Sequence, residues 1–279
     1  MTGTPDDPRC AVGRRRVVED VLHPWPARAL AATFGFSEDI AEGAPLPLAW
    51  HWLYFLEAPP HDRLGRDGHE KLGAFLPDAG LPRRMWASGA LQSELPLTIG
   101  ATATRTSEIV SVEKKSGRSG RLLFVTVRHT MEDHQGGRVT EDQVLVYRDD
   151  PQSGAVQTTL KTAPDTLTER RWLMDPVRLF RYSALTFNGH RIHYDRRHSI
   201  ETEGYGGLVV HGPLLATLML QLIRESHPDV VIKRFSFRGT GPIVDGETFR
   251  VGAHPVEDGI ESFVADGEDR VRFEGRVDI

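Results

Sequence analysis

Residues 187–214 read FNGHRIHYDRRHSIETEGYGGLVVHGPL, a stretch that gathers His190, His193, His198 and His211 with Asn188, Asp195 and several glycines. Three readings compete for it: a metal site, a catalytic loop or an accident of composition. His190 and His193 stand three apart, a spacing that zinc sites use with a third ligand. No HExxH pattern accompanies them, however, and Arg191, Arg196 and Arg197 would oppose a divalent cation. No metal or redox cofactor is therefore expected. The catalytic reading is sharper. A helix opening at Asp175-Pro176 should end near Phe187, with Asp175 as N-cap and Pro176 in its first turn. "NGH" then turns the chain, and His193 follows Asn188 by five residues. A loop of that length can aim both side chains into one pocket. A neutral imidazole there takes a proton from water, while the Asn188 amide holds the water or the ring.

The rest of the chain sets the frame. With 279 residues, 39% hydrophobic and 26% charged, it can bury one large core or two ordinary ones. A net charge of -5 argues against a nucleic-acid partner. No apolar run is long enough to span a membrane. The first residues lack the apolar segment of a secretion signal, so a cytoplasmic protein is expected. The single cysteine, Cys10, can build neither a disulfide framework nor a cysteine zinc site.

Outward from the histidine loop, the patterns alternate between helix and strand. Residues 1–13 read as a disordered leader and 24–36 as a short helix. Residues 49–60, AWHWLYFLEAPP, form an apolar core run, and 59–82 read as a long exposed loop. Residues 97–115, 121–133 and 138–149 alternate apolar and polar residues, the mark of strands joined by hairpins. A polar segment, 150–172, is the linker candidate. Beyond the histidine loop, PLLATLMLQLIRES is apolar all round and should be a buried helix. Further strands follow to the C-terminus. Each half thus shows helical material first and antiparallel strands second, an α+β arrangement in which each sheet wraps one helix.

"FNGHRIHYD", followed after a glycine turn by "YGGLVVHGPLLATLML", resembles the MaoC-like, hydratase-2 branch of the hot dog fold. That branch normally reads Asp-x-Asn-Pro-aliphatic-His, then a Gly-rich turn and (I/V)VHG. The whole chain resembles the double hot dog members of the family, with "LAWHWLYFL" and "RRMWASGALQ" as weaker matches in the N-terminal half. By motif it is most similar to mesaconyl-C4-CoA and itaconyl-CoA hydratases. Mitochondrial-type 3-hydroxyacyl-thioester dehydratases carry a similar Phe-Asn-x-His-x-Ile-His-Tyr-Asp string. The resemblance implies a degenerate repeat over 14–149, the linker 150–172 and a catalytic repeat over 173–279.

Asn188 stands where the broader family has its catalytic Asp, His190 where it has Asn, and Arg191 where it has Pro. An amide is no general base, so the proton acceptor should be His193. Asp195 reads as a helix cap. Gly212, at the start of the buried helix, offers an N–H that can polarise a thioester carbonyl. Together these residues imply reversible hydration of an α,β-unsaturated acyl thioester, with acyl-CoA as the partner; the sequence does not fix the oligomeric state, and a homodimer is one candidate assembly. Tyr194 and His211 are candidate pocket groups, and Arg234 and Arg238 on one strand face are candidates for the CoA phosphates. Arg191 is a candidate clamp for a dicarboxylic acyl group, with Arg181 and Arg197 not ranked against it. The alternatives are a dehydratase of fatty-acid synthesis, a thioesterase on the same fold and a non-catalytic acyl-CoA-binding module.

Overall fold

A computed structural model describes residues 7–117, 120–149, 160–166 and 168–279. Strand β1 (Arg15–Val21) leads into helix α1 (Pro24–Phe34), and after a long connection come β2 (Arg83–Leu95), β3 (Thr102–Gly117), β4 (Gly120–Asp133) and β5 (Arg138–Arg148). The second half holds β6 (Thr168–Leu173), helices α2 (Pro176–Leu185) and α3 (Gly212–Ser226), then β7 (Arg234–Gly239), β8 (Thr248–Val256), β9 (Gly259–Ala265) and β10 (Val271–Asp278). The strands form one ten-stranded sheet in the order β1-β3-β4-β5-β2-β7-β10-β9-β8-β6, antiparallel at every pairing. This is the expected α+β double hot dog, its two five-stranded halves fused into a continuous layer.

The C-terminal half wraps α3 as its apolar composition requires. Leu214 to Ile223 are buried without a break, against β6, β8, β9 and β10. Pro213 sits in the first turn, where its missing N–H costs nothing. The N-terminal half differs from the simple repeat. Its helix α1 packs on α2, with Phe34 edge-on to Tyr182 at 6.4 Å. The N-terminal sheet is covered by the 3-10 turn Trp50–Leu53 and by residues 72–79.

Two strands escape the periodicity. β1 and β2 carry charged and small residues on both faces, yet β2 is the seam between the halves. It pairs with β5 on one side and β7 on the other, with Gly89 opposite Phe237 and Leu91 opposite Phe235. Three other expectations shift. Residues 1–6 of the leader lie outside the described residues, but Pro8–Ala11 is a 3-10 turn with Ala11 buried. Of the linker, 150–159 lie outside the described residues, while Thr162 bridges Arg270 and β6 is the edge strand beside β8. Part of the 59–82 loop is half-buried against the C-terminal half, because its backbone finds hydrogen-bond partners there.

The seam is tight. A Cβ added to Gly89 would stand 2.5 Å from the Phe237 ring. Gly89→Val should therefore destabilise the fold by about 1–3 kcal/mol, the usual range for overpacking. Chemical denaturation of the variant against the wild type measures it.

Candidate active site

Helix α2 ends where the sequence turns from apolar to Asn-Gly. Phe187 takes a left-handed φ of 47°, and the Asn188 N–H bonds to the Ser183 carbonyl at 2.8 Å. The Asn188 side-chain oxygen accepts the backbone N–H of His190 at 3.0 Å, closing an Asx-type turn. The 3-10 turn Arg191–His193 then buries His193. Its Nδ1 lies 2.7 Å from the Val209 carbonyl, which only accepts, so the proton sits on Nδ1. Nε2 is left with a lone pair. Burial pushes the His193 pKa down to about 4, against the opposing pull of the Val209 hydrogen bond.

His193 stands within a row of imidazoles. It stacks on His211 with ring centres 3.7 Å apart and meets His190 edge-on at 5.4 Å. His190 in turn lies 4.4 Å from His69. His211 is fully buried, with Nε2 2.8 Å from the Ser183 hydroxyl and Nδ1 without a partner among the described residues. Burial, followed by the neighbouring His193 and His190, holds its pKa far below the ordinary value. His190 is depressed by burial and then by His69 and His193. These rings are therefore neutral near pH 7.

His69 belongs to the other half of the protein and was not anticipated from the sequence. Its Nδ1 is 3.0 Å from Asp67 Oδ2, and its backbone N–H bonds Asp67 Oδ1 at 3.1 Å. Burial raises the Asp67 carboxyl, but His69 and the charge of Arg84 outweigh it and hold the group below the usual carboxylate range. The segment is clamped onto the histidine loop. Arg191 gives its backbone N–H to Asp67 O at 2.9 Å and its guanidinium to Arg66 O at 3.1 Å. Asp67, His69 and His190 bring metal-donor atoms within 4.8 Å of one another. Asp67 already accepts two hydrogen bonds from His69, and an ion there would face the repulsion of nearby Arg84. Gly68, at φ 89°, meets the Gly189 carbonyl so closely that any Cβ would overlap it. Gly68→Ala should cost about 1–2 kcal/mol of stability through its backbone conformation. It should also lower turnover by roughly tenfold or more by shifting the two loops apart. Melting curves and steady-state rates on one preparation separate the two effects.

A cavity of about 1290 Å³ takes walls from both halves, among them His69, Asn188, His190, His193 and Gly212. Exposed Phe180, Phe187 and Tyr194 also line it. Gly212 opens α3, so its N–H has no carbonyl of the helix to bond. Trp52, Trp86 and Phe273 continue the wall, backed by Phe237, whose ring centre lies 6.1 Å from Trp52 and 5.6 Å from Phe273. Deeper in the N-terminal half the lining turns polar. Ser107, His129 and Glu141 fall in one row across β3, β4 and β5. The Ser107 hydroxyl is 2.7 Å from His129 Nδ1, and Glu141 receives Trp52 Nε1 and faces His51 Nε2 at 3.1 Å. Burial opposes ionisation of Glu141, but the His51 bond and the neighbouring imidazoles hold its pKa below the ordinary value. The signal for this row was present in the sequence: His129 and Glu141 occupy the apolar phase of their strands, beside Val127, Met131 and Val139.

Other candidates lie elsewhere. Arg191 gives Nε and Nη2 to Asp195 Oδ2 at 3.1 and 2.7 Å and does not line the cavity, which removes it as a free clamp. Asp195 caps the following turn through the His198 N–H at 3.0 Å, as read from the sequence. Tyr194 lines the cavity and donates to Gly189 O at 3.0 Å. Arg234 and Arg238 are exposed on β7, pair with Asp278 and Glu274, and do not line the cavity.

With this geometry in place, likeness to other proteins becomes informative. Residues 49–245 match the family model described as hydroxyacyl-thioester dehydratase type 2. The mesaconyl-C(4)-CoA hydratase of Chloroflexus aurantiacus is 43% identical over 253 residues, 90% of each chain. Among solved structures, a MaoC-like dehydratase superposes with a TM-score of 0.70 at 13% identity, covering 96% of this chain and 98% of its own. A Mycobacterium tuberculosis protein described as having a double hotdog fold gives 0.62 at 13% identity, over 95% of both chains. The chain therefore belongs to the hydroxyacyl-thioester dehydratase type 2 family, a MaoC-like double hot dog family.

Proposed function

We propose that the protein is a hydro-lyase that adds water reversibly to a short α,β-unsaturated acyl-CoA carrying a second carboxylate, of the mesaconyl-C4-CoA type. The carrying observation is the pairing of two groups on one cavity. His193 has its proton pinned on Nδ1 by Val209, and Gly212 begins a helix with its N–H unbonded among the described residues. In the hydration direction, the His193 Nε2 lone pair takes a proton from water as the water oxygen attacks Cβ. The double-bond electrons move onto the thioester oxygen, where the Gly212 N–H stabilises the enolate. The imidazolium then returns the proton to Cα, and the base is regenerated. Asn188 shapes the turn that carries His193 and places the water. The polar row at Ser107, His129 and Glu141 supports a polar acyl group over a long alkyl chain, which could not hydrogen-bond it.

The family model favours one second reading: dehydration of a 3-hydroxyacyl thioester, the same chemistry reversed. Itaconyl-CoA is a further candidate substrate. The functional units would be 14–149 and a C-terminal unit that includes β6, in a cytoplasmic homodimer. Loss of enoyl-thioester absorbance with mesaconyl-C4-CoA and crotonyl-CoA, and formation of a hydroxyacyl-CoA from itaconyl-CoA, whose double bond is not conjugated to the thioester, test the activity. A thiol reagent detects thioesterase action, and no turnover with any member would favour a binding module.

His193→Ala should lower kcat by roughly a hundredfold to ten-thousandfold while leaving the protein folded. Asn188→Asp keeps an oxygen for the His190 N–H and should retain more activity than Asn188→Ala, which loses roughly a hundredfold. A wild-type rate for His193→Ala would sink the assignment of the base.

The acid limb has a definite sign. The base works unprotonated, so the rate should hold at neutral pH and fall as pH drops through about 4. Stability should fall over the same side, since unfolded histidine binds protons near pH 6.5 while folded His193 stays neutral to about 4. Each such group contributes a slope of at most about 1.4 kcal/mol per pH unit between those values. Denaturation curves from pH 7 to pH 5 check this part.

A further inference from the structure

Charge on the cavity wall is unevenly satisfied. Of the arginines that line it, Arg16 and Arg105 share Glu57, at 2.7 and 2.9 Å. Arg148 also lines it, on the sheet face where Arg83 is bound to Glu203, and has a buried Nε without a hydrogen bond and no carboxylate within 4.0 Å among the described residues. Arg84 projects from the other face of β2, lines the cavity with His69 and His190, and also has no carboxylate within 4.0 Å among the described residues. It is near enough to His69, His190 and Asp67 to act on all three, and Asp67 is occupied by His69. The His190 ring likewise makes no hydrogen bond among the described residues. Directly opposite Arg84 on β5, the buried Tyr147 hydroxyl is the neutral group that the guanidinium approaches in place of a carboxylate.

A half-buried guanidinium without a counter-ion is costly, and neutral imidazoles do not relieve it. An anion brought by the ligand would. Two parts of an acyl-CoA are anionic: the phosphates of the carrier and a carboxylate on the acyl group. Arg84 lines the cavity with His69 and His190 and its charge acts on both, and His190 is the ring that meets His193. In an acyl group whose second carboxylate sits on Cβ, that carboxylate lies one bond from the carbon that water attacks. It must therefore be held beside the base, whereas the phosphates lie many bonds away along the pantetheine arm.

We propose that Arg84, with the His69 and His190 rings, forms the subsite for the free carboxylate of a dicarboxylic acyl group, so that the N-terminal half sets substrate choice. This rests on the acyl-CoA reading above and moves the carboxylate clamp from Arg191 to Arg84. The Asp67–His69 pair fixes the His69 ring, and the docking of residues 66–69 on the histidine loop fixes the distance between subsite and base.

The test uses unreactive ligands, so it does not depend on turnover. Inhibition or binding constants are measured for succinyl-CoA and butyryl-CoA, which share every phosphate and differ by the terminal carboxylate. The wild type should bind succinyl-CoA more tightly by roughly ten- to a hundredfold, the range of a charge-assisted contact. Arg84→Gln should bring the ratio close to one, chiefly by weakening succinyl-CoA. If Arg84→Gln fails to fold, Arg84→Lys, which keeps the charge and loses the fork, should reduce the ratio in part. A wild-type ratio near one overturns the subsite. So does a ratio unchanged in the variant that folds, or equal weakening of both ligands, which would place Arg84 on the carrier. Failure of the enoyl-CoA panel would instead reject the hydratase reading and leave this ratio to stand or fall separately.

Discussion

The pairing of β2 with β7 is the constraint on which the rest depends. Without it there are two small half-barrels, each with an open edge. With it there is one sheet of ten strands and one cavity bounded by both halves. The pairing is short, from Ser88–Arg238 to Gln92–Arg234, and needs a glycine where the Phe237 ring crosses Gly89. It places the aromatic wall of Trp52, Trp86 and Phe273, backed by Phe237, between the α3 N-terminus and the polar row of the N-terminal half. The cavity thus changes character along its length.

A second constraint follows from the first. Once the halves are joined, residues 66–69 can reach the histidine loop and are held there by backbone hydrogen bonds to Arg191. The broader family's carboxylate is absent at Asn188, but Asp67 brings one into the same neighbourhood, bonded to His69. The N-terminal half thus supplies part of the cavity lining beside the histidine loop. Its sheet row, its loop and Arg84 bring polar groups to that lining. The neutrality of the imidazole row has the same origin: several basic rings buried together cannot all carry charge.

The buried helix α3, the strands β3, β4 and β5, and the cap at Asp175 were readable because their causes are local. Ten buried positions in succession need an apolar run, and period-two strands need alternation. The turn at Asn188, the burial of His193 and the helix start at Gly212 were readable for the same reason. β1 and β2 were not. Their partners lie far along the chain, and their faces are covered by residues that no short window contains. The inference that Arg191 clamps a substrate failed on a similar point, since Asp195 is its neighbour in space and takes its guanidinium.

By itself the sequence determined the α+β class, the helices and most strands, and the loop that carries Asn188 and His193. Each of these depends on residues within about one or two turns of one another, so composition and spacing suffice. Tertiary structure alone decided that Asp67, His69 and Arg84 stand beside that loop, more than a hundred residues away in the chain. It also decided that Arg234 and Arg238 face acidic neighbours on the sheet surface. The reason is physical. A side chain's chemistry is written in its type, but its partner is set by which backbones approach, and that is settled only when β2 meets β7.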